Sequence, residues 1–135
     1  SPASLVFEIT ETAAITNLTV AKKFIETLKG IGFRFALDDF GVGFASFEHL
    51  KFLPVDYLKI DGSFIKELPN SSVDQHVVRG IVEVAHGLGK QVIAEHVENE
   101  AILEILKTYG IDFGQGFYLG RPFDPAQQPL HPRSF

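Results

Sequence analysis

The chain has no cysteine, no methionine and no long uninterrupted apolar run. Without cysteine there is no disulfide and no zinc site built on thiolates, although this leaves the compartment open. Methionine is missing even at position 1, which predicts a fragment or processed piece of a longer protein. Charges or glycines interrupt the apolar stretches every few residues, so no membrane span is expected, and the start lacks the basic-then-apolar pattern of a signal peptide. Positive charge is the minority sign, with 12 Lys and Arg against 17 Asp and Glu and a net charge of −5. Proteins that grip polynucleotide phosphates have the opposite balance, so no polynucleotide partner is expected. An acidic domain can still take a small phosphorylated ligand when metal ions neutralise its phosphates.

What is present is ordinary globular composition, 45% hydrophobic and 21% charged over 135 residues, which suits one domain at most. Short apolar segments at 5–10, 33–38, 55–60, 91–95 and 113–118 read as strands. Helical patterns lie between them at 18–29, 46–52, 72–88 and 100–109. The first long helix has an N-cap at Thr16-Asn17, an apolar stripe of Leu18, Ala21, Ile25 and Leu28 with Phe24 beside it, and Gly30 as its stop. The helix at 72–88 would bury Val73, Val77, Ile81, Val84 and Leu88. Proline-rich residues 123–135 read as an irregular tail. Alternating strand and helix predicts an α/β fold with a parallel sheet, either doubly wound or part of a barrel; periodicity does not choose between them.

The charges inside the strands carry the chemistry. Glu8, Asp38, Lys59, Glu95 and Gln115 each lie toward the C-terminal end of an apolar run. Burying an isolated charge is costly, so several at one level suggest a shared polar site, at the end of a parallel sheet where active sites form. Alternation places Ala36 and Asp38 on one face with Tyr57 and Lys59, and with Ile93 and Glu95. Asp38-Asp39 is the most telling pair, since adjacent carboxylates in a cleft require cations nearby, and hard divalent ions favour such oxygens. The competing reading is a solvated turn with an aspartate capping the next helix. Lys59 is either an ammonium held against a phosphate or a metal-bound water, or a lysine whose head reaches solvent. Glu95 and Glu98 are either a ligand and its support, or helix-start carboxylates. Gly41 and Gly43 read as hinges of a loop over the site or as a plain turn. His49, His76, His86 and His131 read as surface or helix positions, and no Gly-x-Ser-x-Gly nucleophile elbow is found.

Several motifs in register resemble EAL domains: Glu8-Ile9-Thr10-Glu11; Asp38-Asp39-Phe40-Gly41-Val42-Gly43; Leu53-Pro54-Val55-Asp56-Tyr57-Leu58-Lys59-Ile60-Asp61; Ala94-Glu95-His96-Val97-Glu98; and Gly114-Gln115-Gly116-Phe117-Tyr118. The resemblance covers nearly the whole of residues 1–122 and implies the C-terminal half of a bacterial (β/α)8 TIM-like barrel. Such domains hydrolyse cyclic di-GMP to linear pGpG with two Mg²⁺ or Mn²⁺ ions. By that resemblance Glu8, Asp38 and Asp39 would be metal ligands, and Glu95 would ligate the second metal or its water. Lys59 would contact the attacking water, and Glu98 and Gln115 would support that arrangement. Glu11, with Phe40, Gly41 and Gly43, would hold the loop at 38–46.

Two departures stand out. His96 occupies a position where the family has glycine, and Val42-Gly43-Phe44-Ala45-Ser46 replaces Thr-Gly-Tyr-Ser-Ser. The Glu-Ala-Leu signature and an asparagine ligand would lie upstream of Ser1. A half barrel exposes two sheet edges, so the expectation is a homodimer or pairing with the missing N-terminal half, weak metal binding and little turnover alone. The expected setting is cytoplasmic, with no membrane contact from this segment. The rival expectations are a non-catalytic cyclic di-GMP-binding or dimerisation module, and an unrelated α/β enzyme.

Overall fold

The apolar segments become strands β1 (Val6–Thr10), β2 (Arg34–Phe40), β3 (Tyr57–Ile60), β4 (Gln91–Ala94) and β5 (Phe113–Gly114) in a computed structural model that describes residues 6–41, 46–116 and 133–134. Between them run helices α1 (Glu11–Thr16), α2 (Leu18–Ile31), α3 (Phe47–Phe52), α4 (Ser72–Gly87) and α5 (Glu100–Thr108), with short 3-10 turns at Gly62–Phe64 and Leu68–Asn70. Each helix starts where a short polar side chain accepts a hydrogen bond from a backbone N–H of the first turn, namely Thr10, Asn17, Ser46, Ser71 and Asn99.

Each strand from β2 to β5 pairs parallel with its predecessor in sequence, in the order β1-β2-β3-β4-β5. A doubly wound sheet reverses its order at a switch point. This one does not reverse, so the wall-like order of a barrel is the alternative that holds. Beyond β5, β6 (Arg133–Ser134) pairs antiparallel, so the tail read as irregular gives these two residues to the sheet. Residues 117 and 118 of the expected fifth strand lie outside the described residues, as do Gly43 and His131.

The two faces of the sheet differ. On the helix-covered face Phe35, Leu37, Leu58, Ile60, Val92 and Ala94 pack with Ile25, Val82 and Leu106 in one large core. On the other face Ala36, Tyr57 and Ile93 form a small apolar layer with Val6 and Phe113 against it. This matches the alternation expected from sequence, with the polar residues above that layer.

Three sequence expectations change. Helix α2 runs through Gly30 and ends at Gly32, whose φ of 115° is left-handed and whose N–H bonds back to Leu28 and Lys29. Glycine is the residue that takes this conformation without strain, so the second glycine is the stop. In α4 the buried residues are Val78, Ile81, Val82 and Ala85, while Val73 is 70% exposed. The helix holds two overlapping apolar stripes, and contacts with β4 and the turn at Leu68–Asn70 select one. Helix α1 is an element that the apolar pattern does not reveal, being a single capped turn and a half.

At the N-terminal end of the strands, buried Lys90 donates to the carbonyls of Leu53 (2.8 Å) and Val55 (3.0 Å). Lys29 donates to Pro54 O and to Asp56, whose other oxygen accepts from the Phe35 N–H. These bonds fix the loop that enters β3. Burial holds the Lys90 ammonium below its usual pKa, with the Lys29 charge adding and Asp56 opposing. Among the described residues, no helix is long and apolar enough to cross a membrane.

Candidate metal centre

Above the Ala36–Tyr57–Ile93 layer, the same face of the sheet turns polar. Glu8 is the third residue of β1, level with Ala36. Lys59 lies in β3 level with Ile93, and Glu95 leaves β4 directly after Ala94. The Lys59 ammonium, on a residue only 5% exposed, stands 2.7 Å from Glu8 Oε1 and 2.9 Å from Glu95 Oε1. Three strands are thus tied across one face by a single cation.

Asp38 and Asp39 need a further device, because successive residues of a regular strand point to opposite faces. Pairing between β2 and β3 shifts register between Leu37 and Phe40, and Asp39 takes a φ of 57°. An irregularity of this kind re-aims a side chain. With it, carboxylate oxygens of Asp38, Asp39 and Glu95 all come within 4.8 Å of one another. The Asp39 N–H donates to Asp38 Oδ1 at 3.0 Å, which orients the first carboxylate. Only Asp39 and His96 are non-glycine residues with positive φ among the described residues, and both border this group. Backbone strain concentrated at one place is a mark of a functional site.

The electrostatics agree. Burial raises the Asp38 carboxyl above its ordinary pKa; Lys59 opposes this, while Glu8 and Asp39 add to it. Glu95 is likewise raised by burial and by Asp38 and Asp39, against the pull of Lys59. Burial works against the Lys59 ammonium, but the bonds and charges of Glu8 and Glu95 outweigh it and raise its pKa. Four carboxylates therefore share one ammonium. Among the described residues, neither Asp38 nor Asp39 has a Lys or Arg ion pair. Three convergent carboxylates short of positive charge are the donor set that a hard divalent cation takes, so the residues fit such an ion.

The other expected site residues fall into different places. Glu8 belongs to the polar face through Lys59 and stands outside the three-carboxylate group. Glu11, 1% exposed at the start of α1, is engaged in a polar contact. Phe40 is buried in the helix-side core beside the ring of Phe47. Gly41 has a φ of 109°, and the Phe64 ring packs where its β-carbon would be. Gln115 acts through its backbone, donating to Ala94 O (2.9 Å) and accepting from the Val97 N–H (2.8 Å). Glu98 is about half exposed and faces His96, whose Nδ1 is 3.6 Å from its Oε1. Two features escaped the sequence reading. One is the bond from Arg34 to Tyr57 Oη at 3.0 Å beneath the layer; the other is the seating of the His96 ring on Gly62. The only available signal for the second was a histidine and a glycine following the two charged strand ends.

A parallel (β/α) wall with convergent carboxylates at the C-terminal end of its strands defines a class of barrel domain whose acidic site suits a divalent cation. Comparison narrows it. The sequence matches the EAL domain over residues 1–122, and the chain belongs to that family. It is 48% identical over 124 residues to the cyclic di-GMP phosphodiesterase PdeB of Shewanella oneidensis, covering 92% of this chain and 14% of that protein. Among solved structures, the PaMucR phosphodiesterase in its c-di-GMP complex superposes with a TM-score of 0.86 at 41% identity, covering 96% of this chain and 52% of that one. The EAL domain of Mycobacterium smegmatis DcpA gives 0.85 at 35% identity, covering 94% and 57%. The chain therefore spans about half of these solved EAL chains and a small part of the curated relative. Its fold is part of a TIM-like (β/α)8 barrel.

Proposed function

We propose that this chain is the metal-binding half of a cyclic di-GMP phosphodiesterase, acting in the bacterial cytoplasm and hydrolysing cyclic di-GMP to linear pGpG. The observation that carries the reading is the convergence of Asp38, Asp39 and Glu95 within 4.8 Å, beside a lysine that ties Glu95 to Glu8 of β1. Asp38, Asp39 and Glu95 would hold a Mg²⁺ or Mn²⁺ ion, and Glu8 would join a second such ion once released from Lys59. Bound divalent ions supply Lewis-acid charge that acidifies water and neutralises the phosphoryl oxygens.

The side chains divide the remaining work. Lys59, with its pKa raised, stays protonated at neutral pH; it is therefore a hydrogen-bond donor toward the incoming water or a phosphate oxygen rather than a base. In the reaction a water oxygen forms a new bond to phosphorus and one P–O ester bond breaks, its oxygen leaving as a sugar hydroxyl. Glu98 and Gln115 support the β4 and β5 ends. Glu11, Phe40 and Gly41 support the exit of β2, toward the segment that holds Gly43.

Half a barrel supplies half of the site's walls, so the chain works with an upstream half or with a second copy, and alone it turns over little. The test is cyclic di-GMP hydrolysis with Mg²⁺ and with Mn²⁺, on this chain and on the longer protein that contains it. Turnover only in the longer protein is expected. Full turnover by this chain alone would overturn the dependence on an upstream half. No hydrolysis by either, with cyclic di-GMP still bound, would replace catalysis with a binding module.

A further inference from the structure

The geometry points to His96 as a positioning residue that, through its contact with Gly62, fixes Glu95 in the acidic group; this rests on reading that group as a cation site. Ala94 and Val97 are both fully buried, so within two residues the chain must send Glu95 into the site and return to the core. It does so by turning left-handed at His96, where φ is 60°. A β-carbon makes that conformation costly, though histidine is among the residues that adopt it more often.

The imidazole of His96 lies directly on Gly62, so closely that a β-carbon at position 62 would overlap its ring. Gly62 is buried and opens the 3-10 turn that leaves β3, three residues after Lys59. Unlike Gly41 or Gly32, it has no left-handed φ to require glycine. Its missing side chain is explained by the ring. The contact therefore ties the exit of β4, which carries Glu95, to the exit of β3, which carries Lys59.

The opposite side of the turn is held as well. Val97 N–H donates to Gln115 O, Gln115 N–H donates to Ala94 O, and Gly116 at φ 155° leaves no room for a side chain against the Val97 backbone. Residues 94–97 are thus clamped between the exits of β3 and β5. Of the two clamps, the β5 side is backbone and cannot be tuned by sequence at Gln115. The β3 side depends on one ring and one glycine.

Mn²⁺ titration followed by electron paramagnetic resonance tests this, with urea unfolding in the absence of metal as the second readout. Gly62→Ala expels the ring, which at 45% side-chain exposure can swing into solvent without unfolding the chain. His96→Asn keeps a residue that tolerates the left-handed turn but removes the ring. Each should weaken Mn²⁺ binding about tenfold, the range typical for residues that orient a ligand. The double variant should fall no further, because both changes break one contact. Gly80→Ala, in open space on α4, should bind as the wild type does. Wild-type Mn²⁺ affinity in His96→Asn, or losses that multiply in the double variant, would overturn the proposal. Wild type that binds no Mn²⁺ even within the longer protein that contains this chain overturns the cation reading instead. That failure is separable, because the unfolding cycle between positions 62 and 96 is read without metal.

Discussion

Replacing Lys59 with methionine is the sharpest probe of how this site is balanced. The ammonium holds Glu8 at 2.7 Å and Glu95 at 2.9 Å from a position 7% exposed at the side chain. Removing one partner of a buried ion pair costs about 3–5 kcal/mol. Glu8 and Glu95 keep 32% and 22% of their side-chain exposure, so water recovers part of their solvation. A loss of about 2–3 kcal/mol at neutral pH is therefore expected. For a domain of this size that lowers Tm by roughly 8–12 °C. The sign with pH follows from the shifts. The Lys59 pKa is raised above 10.5, so its contribution is complete below 10.5 and is lost as pH rises through the raised value. On the acid side the contribution fades as its partners protonate, and Glu95, raised above 4.5, does so earlier than an ordinary glutamate. Thermal unfolding of wild type and Lys59→Met, at neutral pH and at about pH 3 where carboxylates are protonated, gives the difference. A loss under about 0.5 kcal/mol at neutral pH, the size of an exposed pair, would refute the reasoning. So would an equal loss at both pH values.

Asp38→Asn should weaken Mg²⁺ or Mn²⁺ binding by about tenfold or more. The same change should raise the stability of the metal-free chain by about 0.5–1 kcal/mol, because it removes one of the crowded like charges; denaturant unfolding with and without cation reads both. Asp38 and Glu95 have raised pKa values, so they lower folded-state stability once pH passes above their ordinary values, and acidification through the raised values relieves this. Cation binding should therefore release protons on the acidic side of neutrality and weaken as pH falls, as measured by calorimetry in buffers of different ionisation enthalpy. The two glycines of α2 should respond with opposite signs. Gly32→Ala, at φ 115°, should destabilise by about 1–2 kcal/mol, and Gly30→Ala, in a helix with open space, should stabilise by about 0.5–1 kcal/mol.

Much of this fold was legible because its physics is local. The period-two strands around Ala36 and Ile93 and the cap at Asn17 depend on neighbours in sequence. Where two local solutions compete, sequence could not choose. Gly30 and Gly32 are both plausible helix stops, and the apolar residues of α4 allow two buried stripes. The choice came from packing between elements distant in sequence. The site divides the same way. That Glu8, Lys59 and Glu95 share one polar face is readable as charge at one level of the strands; that Lys59 bridges the two glutamates is not. Nor is the register shift that turns Asp38 and Asp39 to one side, because it arises from pairing with β3.

That register shift is also what crowds the carboxylates together. A regular β2 would point Asp39 away from Asp38, sparing the repulsion and the left-handed φ. The chain accepts both at Asp39, and a second left-handed residue at His96, each beside a carboxylate of the same group. Lys59 pairs directly with Glu8 and Glu95, and acts on Asp38 only through its charge, without an ion pair. The stabilisation missing from the protein side is therefore localised on Asp38 and Asp39, and an incoming cation would supply it. Strain in the backbone and deficit in charge coincide at one point, and an oxygen-ligated divalent ion would relieve the second while using the geometry set by the first.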